Sequence, residues 1–163
     1  MSKPIKLKPR KGNGACGPTV IACITGAAVE KIEHRIKLRR YGRRRTVARV
    51  RGTTTREVRA CLAYFGYTMS TADASANSVE MKYTATTIGR WRGEMRIDTP
   101  TLGQWLASRE DSSECNIVHI ANHWIVVQGN ELADTYSGGA PIPWSKSAHL
   151  RKRVRGVYMV RKS

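Results

Sequence analysis

Acidic side chains are scarce in this sequence: 12 Asp plus Glu stand against 29 Lys plus Arg over 163 residues, a formal net charge of +17. No apolar run approaches the roughly 20 residues of a bilayer span. The first eleven residues are charged throughout and lack the apolar stretch of a secretory signal. Cysteine is sparse too, at positions 16, 23, 61 and 115, with neither a CxxC pair nor the density of a disulfide-stapled scaffold. Zinc is therefore a weak expectation, and no metal or cofactor is anticipated. No internal repeat is present. These absences point to a reduced, cytoplasmic setting. The hydrophobic content of 40% is enough for a core, which excludes a disordered basic tail. The length fits one domain over residues 1–163, with a basic loop at 39–52 and a basic C-terminal segment at 146–163.

The charge is unevenly spread. Residues 1–60 hold 17 basic and 3 acidic side chains, residues 61–143 hold 5 and 9, and residues 144–163 hold 7 and none. The positive blocks concentrate at Arg39, Arg40, Arg43, Arg44, Arg45, Arg49 and Arg51, and again at Arg151, Lys152 and Arg153. Such blocks raise the local concentration of polyanions, so these ten residues are candidates for binding DNA, RNA or another anion.

Gly26 and Gly42 punctuate two helical patterns. The first starts with Pro18 at its first position and ends at Gly26; the second spans residues 27–40 with Val29, Ile32 and Ile36 on one face. Thr53 to Thr55 with Glu57 offer capping groups to a third helix with an apolar stripe of Val58, Cys61, Leu62 and Phe65. Residues 79–83 and 94–97 carry short strand patterns, and Thr99-Pro100-Thr101 opens a helix through Leu102, Trp105 and Leu106. Residues 116–120, 123–128, 131–136 and 154–160 alternate as strands, with a hairpin signal at Gly129-Asn130. Helices first and antiparallel strands later make the fold class α+β.

A nucleophilic cysteine needs its thiolate, and a helix N-terminus favours that charge. Cys16 alone has this setting. Cys23 and Cys61 lie within apolar helical faces, and Cys115 follows an acidic run whose field disfavours a thiolate. Histidine is the usual base for such a nucleophile and needs a third group to orient it. With the turn at Gly129-Asn130, Gln128 opposes Glu131, and His123 and Asp134 become diagonal neighbours on one face. A slip of one residue would separate them. His34, His119 and His149 have no such partner at a readable spacing.

Gly14-Ala15-Cys16-Gly17-Pro18-Thr19, leading into an Ala-containing helix, resembles the opening of the papain-like cysteine peptidases of the bacteriocin-processing type (double-glycine leader peptidases) and their stand-alone bacterial or phage relatives. His123-Trp124-Ile125-Val126-Val127-Gln128-Gly129 with Asp134 is similar to that family's histidine strand and acidic partner, and Gly52-Thr53-Thr54 to Phe65-Gly66-Tyr67 to its middle segment. The resemblance implies a papain-like fold, N-terminal helices on a C-terminal antiparallel sheet. It also implies a thiol hydrolase acting on a peptide, isopeptide or other amide in a peptide or protein substrate. Cys16 would attack, His123 would carry the proton and Asp134 would orient His123. The family has a glutamine about six residues before its cysteine, where this chain has Arg10-Lys11-Gly12; Asn13, with the Cys16 backbone N–H, is the candidate oxyanion donor here. The alternative is a non-catalytic nucleic-acid-binding or virion-associated structural protein that keeps the fold.

Overall fold

A computed structural model describes residues 5–11, 14–43, 49–72, 99–109 and 113–163. Helices α1 (Cys16–Thr25), α2 (Val29–Tyr41) and α3 (Thr55–Tyr64) come first, followed by strand β1 (Tyr67–Thr71) and helix α4 (Leu102–Ser108). Strands β2 (Cys115–Ile120), β3 (His123–Gln128), β4 (Glu131–Ala133), β5 (Ile142–Pro143) and β6 (Val154–Lys162) complete the order. The expected strand patterns at 79–83 and 94–97 lie outside the described residues.

The strands form one six-stranded sheet in the order β1-β6-β2-β3-β4-β5, and every pair is antiparallel. Its centre, β3, is buried from His123 to Val127 because both faces are covered. Trp124 and Val126 face a core built with Val20, Ile21, Ile24, Ile32, Val58 and Leu62 of the first three helices. Ile125 and Val127 face a second core with Leu102, Trp105 and Leu106 of α4. A strand sandwiched this way reads as a continuous apolar run, which is what Trp124 to Val127 is. The expectation of helices on a sheet is met, and α4 adds a layer on the far face.

Local chemistry accounts for the helix ends. Thr54 and Glu57 form a reciprocal capping box on α3, and Thr101 and Gln104 form another on α4. Gly26 ends α1 in the left-handed conformation, φ 75°, donating to the Ala22 carbonyl. The start of α1 corrects the sequence reading: it begins at Cys16, with Pro18 third in the helix. Proline fits there because no N–H in the first turn has an intrahelical acceptor. The first bond of that kind runs from Thr19 N–H to Ala15 O, 3.1 Å. The β4 strand stops at Ala133, short of the expected residue 136, because residues from Asp134 onward turn away.

Candidate active site

Three elements bring the site together. Helix α1 is buried from Gly17 to Ile24 and packs on β3 with its N-terminus beside the start of that strand. Close approach is demanded at Gly17, where a Cβ would stand 2.4 Å from the Thr53 hydroxyl oxygen. Thr53 is tied in turn to β3, since its carbonyl accepts from the Trp124 indole at 2.9 Å. The Cys-Gly-Pro sequence therefore has a steric reason. Unlike α3 and α4, α1 has no side-chain cap, and unlike α3 it has no acidic residue in its first turn. The N–H groups of Cys16 and Gly17 precede the first helical bond, and the positive end of the helix is left uncompensated by its own side chains.

His123 is the first residue of β3, next to a tight turn in which Asn122 adopts φ 55°. Pairing of Val126 with Ala133, Val127 with Leu132 and Gln128 with Glu131 is the register expected from a turn at Gly129-Asn130. It puts Asp134 within reach of His123: Nε2 lies 2.9 Å from Asp134 Oδ2. Asp134 is held from its other oxygen, Oδ1, by the Ser137 N–H at 2.8 Å. His123 is also hydrogen-bonded to Cys16, so that one imidazole joins thiol and carboxylate.

The electrostatics follow from these contacts. Burial pushes the Cys16 thiol up, but the His123 hydrogen bond and the backbone N–H groups of Trp124 and Gly17 outweigh it and hold the thiol below its usual 9.0. Burial alone would lower His123; its hydrogen bonds to Asp134 and Cys16 raise it to about 9. Burial raises Asp134, and the bonds from His123 and Ser137 more than reverse this, keeping the carboxylate ionised. Burial pushes Cys23 and Cys61 to about 11 and Cys115 to about 12. For Cys115 the cause differs from the sequence reading: the thiol is held up by burial at the head of β2, and the charge of Arg109 lowers it.

The other expected residues fall elsewhere. Asn13, Arg44 and Arg45 lie outside the described residues. Arg10, six residues before Cys16, sends its guanidinium to the Gly26 carbonyl at the far end of α1, where it complements the negative helix terminus. Arg40 is committed to Glu57 at 2.5 Å and to the Gly52 carbonyl at 2.6 Å, and the Arg40 pair with the Thr54 N–H outweighs burial, which raises Glu57, and takes it down to about 2. Arg153 donates to the Thr99 carbonyl at 2.5 Å. Arg39, Arg43, Arg49, Arg51, Arg151 and Lys152 are exposed.

One residue the sequence reading set aside belongs here. His149, in the turn that follows a short 3-10 segment at Trp144–Lys146, is buried with its Nε2 3.4 Å from Asp134 Oδ2. Its ring stands 4.6 Å from that of His123 and edge-on to Tyr136 at 4.5 Å. No local spacing links position 149 to 123 or 134, so only the folded backbone reveals it. Ser137 was legible: an aspartate followed three residues later by a serine is a turn signal.

No protein-family model matches the chain, and no curated protein matches it significantly. Among solved structures, the chain is similar in fold to a double glycine motif protease from an AMS/PCAT transporter, crystallised with its leader peptide. The two share 12% identity at a TM-score of 0.51, over 99% of this chain and 94% of the other. The helices packed on a six-stranded antiparallel sheet are thus the architecture of a papain-like peptidase domain.

Proposed function

We propose that this chain is a small thiol hydrolase that cleaves an amide bond in a peptide or protein. The reading rests on one observation, the single imidazole of His123 hydrogen-bonded at once to the Cys16 thiol and the Asp134 carboxylate. With Cys16 lowered and His123 raised, the pair is disposed toward thiolate and imidazolium. The thiolate attacks the carbonyl carbon, and the developing oxyanion is held by the Cys16 N–H with Asn13 as the side-chain donor. His123 gives its proton to the leaving amine, leaving a thioester on Cys16. Water, deprotonated by His123, then releases the acid and restores the thiol. Asp134 keeps the ring in the orientation that presents it to sulfur. The similar structure is that of a protease holding a leader peptide, which supports a peptide as the substrate.

The test is labelling with a peptide aldehyde or acyloxymethyl ketone, read by intact mass and peptide mapping. One adduct at Cys16, lost in His123→Ala, is expected. An adduct that forms equally well without His123 overturns the reading. The net charge of +17 favours a second reading, a nucleic-acid-binding protein that keeps the fold without turnover. Absent labelling together with salt-sensitive nucleic-acid binding would decide for it.

A further inference from the structure

His149 Nε2 is a buried nitrogen with no hydrogen-bond partner, on a residue only 8% exposed. Such a group carries a desolvation cost that calls for a reason. It stands 3.4 Å from Asp134 Oδ2, misaligned for a hydrogen bond, and the same oxygen lies 2.9 Å from His123 Nε2. The three atoms all fall within 4.8 Å of one another. A tetrahedral ion with bonds of about 2.0–2.2 Å holds its ligand atoms roughly 3.3–3.5 Å apart. The 3.4 Å separation has the required value, and a shift of the His123 ring away from Asp134 and toward His149 brings the other two to it.

The supports are rigid. Asp134 is fixed through Oδ1 by Ser137, His123 by the register of β3, and the His149 turn by the first amides of α4. Leu102 N–H donates to Lys152 O at 2.8 Å and Gly103 N–H to Leu150 O at 2.9 Å. A bound carboxylate already held by a second hydrogen bond is the outer support that metal ligands require.

We propose that the trio of His123 Nε2, Asp134 Oδ2 and His149 Nε2 binds a divalent first-row transition ion, with zinc the best match. Two imidazoles and one carboxylate suit zinc and do not suit magnesium or calcium, which require mainly oxygen ligands. Cys16 is not among the clustered ligand atoms. This inference rests on the reading of His123 as the base and makes the site self-limiting. Coordination replaces the Nε2 proton, which leaves to solvent. The neutral ring then keeps its one proton on Nδ1 and has no lone pair with which to take the thiol proton. The metal and the His123–Asp134 hydrogen bond are mutually exclusive, so zinc acts as a reversible brake.

The full chain, stripped with a chelator, is titrated with Co2+ and then Zn2+. One Co2+ per chain is expected, with visible d–d bands, no sulfur-to-cobalt charge-transfer band, and displacement by Zn2+. Cys16→Ala retains binding. His149→Phe, which keeps the ring packing, weakens it at least about tenfold, the scale on which even an outer-shell partner is felt. Should His149→Phe fail to fold, histidine ring NMR of the unaltered chain carries the test: Zn2+ shifts His123 and His149 and leaves His34 and His119 in place. No binding, a thiolate band, unchanged affinity in His149→Phe, or shifts at His34 or His119 would each overturn the site. Electrophile labelling of the metal-free protein separates the two ideas. Labelling without metal binding removes the zinc site and leaves the hydrolase, whereas metal binding without labelling does the reverse.

Discussion

Helix α1 carries two thiols seven residues apart, two helical turns, and so on nearly the same side of one helix. They behave oppositely. Cys16 sits below its ordinary pKa, and Cys23 is pushed by burial to about 11. Burial opposes the thiolate at both, so burial does not separate them. Hydrogen-bond direction does. The Cys23 Sγ donates to the Gly139 carbonyl at 3.3 Å, a bond that requires the proton to stay. Cys23 also meets the Arg10 backbone, but that bond does not offset burial, whereas Cys16 accepts from His123 and from the backbone of Trp124 and Gly17, bonds that strengthen as the proton leaves. One thiol is a core side chain with a weak donor. The other is the thiol that the proposed reaction uses as nucleophile.

The most direct way to break this contrast is to remove each thiol. Cys16→Ala is expected to abolish amide hydrolysis, assayed by mass spectrometry on a peptide library, with the circular dichroism spectrum intact. Cys23→Ala should keep turnover and lose about 1–2 kcal/mol of stability in urea melts, from the lost contact volume and the thiol–carbonyl bond. Hydrolysis lost in Cys23→Ala but kept in Cys16→Ala would reverse the assignment.

Next in size is Asp134→Asn, which keeps the shape of the orienting group and removes its charge. Turnover should fall roughly 10²–10⁴-fold, the range associated with impaired acid–base catalysis. A loss of less than threefold would show that His123 is oriented by something else.

The pH dependence sharpens the same comparison. Because Cys16 is lowered and His123 raised to about 9, Cys16 alkylation should rise with pH through a midpoint below 9. Hydrolysis should decline above about pH 9, as His123 loses the proton it must give to the leaving amine. In His123→Ala the burial of Cys16 remains and its supporting bond is gone, so the alkylation midpoint moves upward. A midpoint unchanged by that substitution would mean that the helix terminus, not the histidine, holds the thiolate.

The smallest expected effect on the site is from the basic residues. Replacing Arg43, Arg44 and Arg45 with Ala should flatten the log–log salt dependence of duplex DNA binding by about 2 to 3, at roughly −0.9 per neutralised phosphate. Cys16 labelling should not change. No binding at low salt would remove nucleic acid as a partner, and a change in labelling would tie the arginines to the thiol site.

Short-range chemistry explains how much of this was readable beforehand. The His123–Asp134 contact followed from counting outward from Gly129-Asn130, because a two-residue turn leaves one register for the strands it joins. The capping boxes at Thr54 and Thr101 were equally local. His149 was missed because its position comes from backbone bonds to Leu102 and Gly103, some 45 residues upstream, that no spacing rule encodes. The start of α1 was misread by two residues because proline suits any position in a first turn. The far-face layer was missed because an amphipathic helix does not announce which side of a sheet it will cover.

The loop that carries Asp134 is stapled to the opposite end of the chain. At Gly139, with φ 73°, a Cβ would stand 1.6 Å from the Arg10 carbonyl oxygen, so this glycine is the only residue that lets the N-terminal segment lie there. Arg10 N–H bonds the Gly139 carbonyl at 2.8 Å, and Leu7 N–H bonds Gln128 Oε1 across 121 positions of sequence. Contacts of this span form late, since loop closure must precede them. During synthesis at about 5–20 residues per second, Cys16 would therefore leave the ribosome many seconds before its base and carboxylate exist. The nascent chain carries Cys16 as an ordinary thiol, and the hydrogen bonds that lower its pKa come together only when the last strands have closed over the first segment.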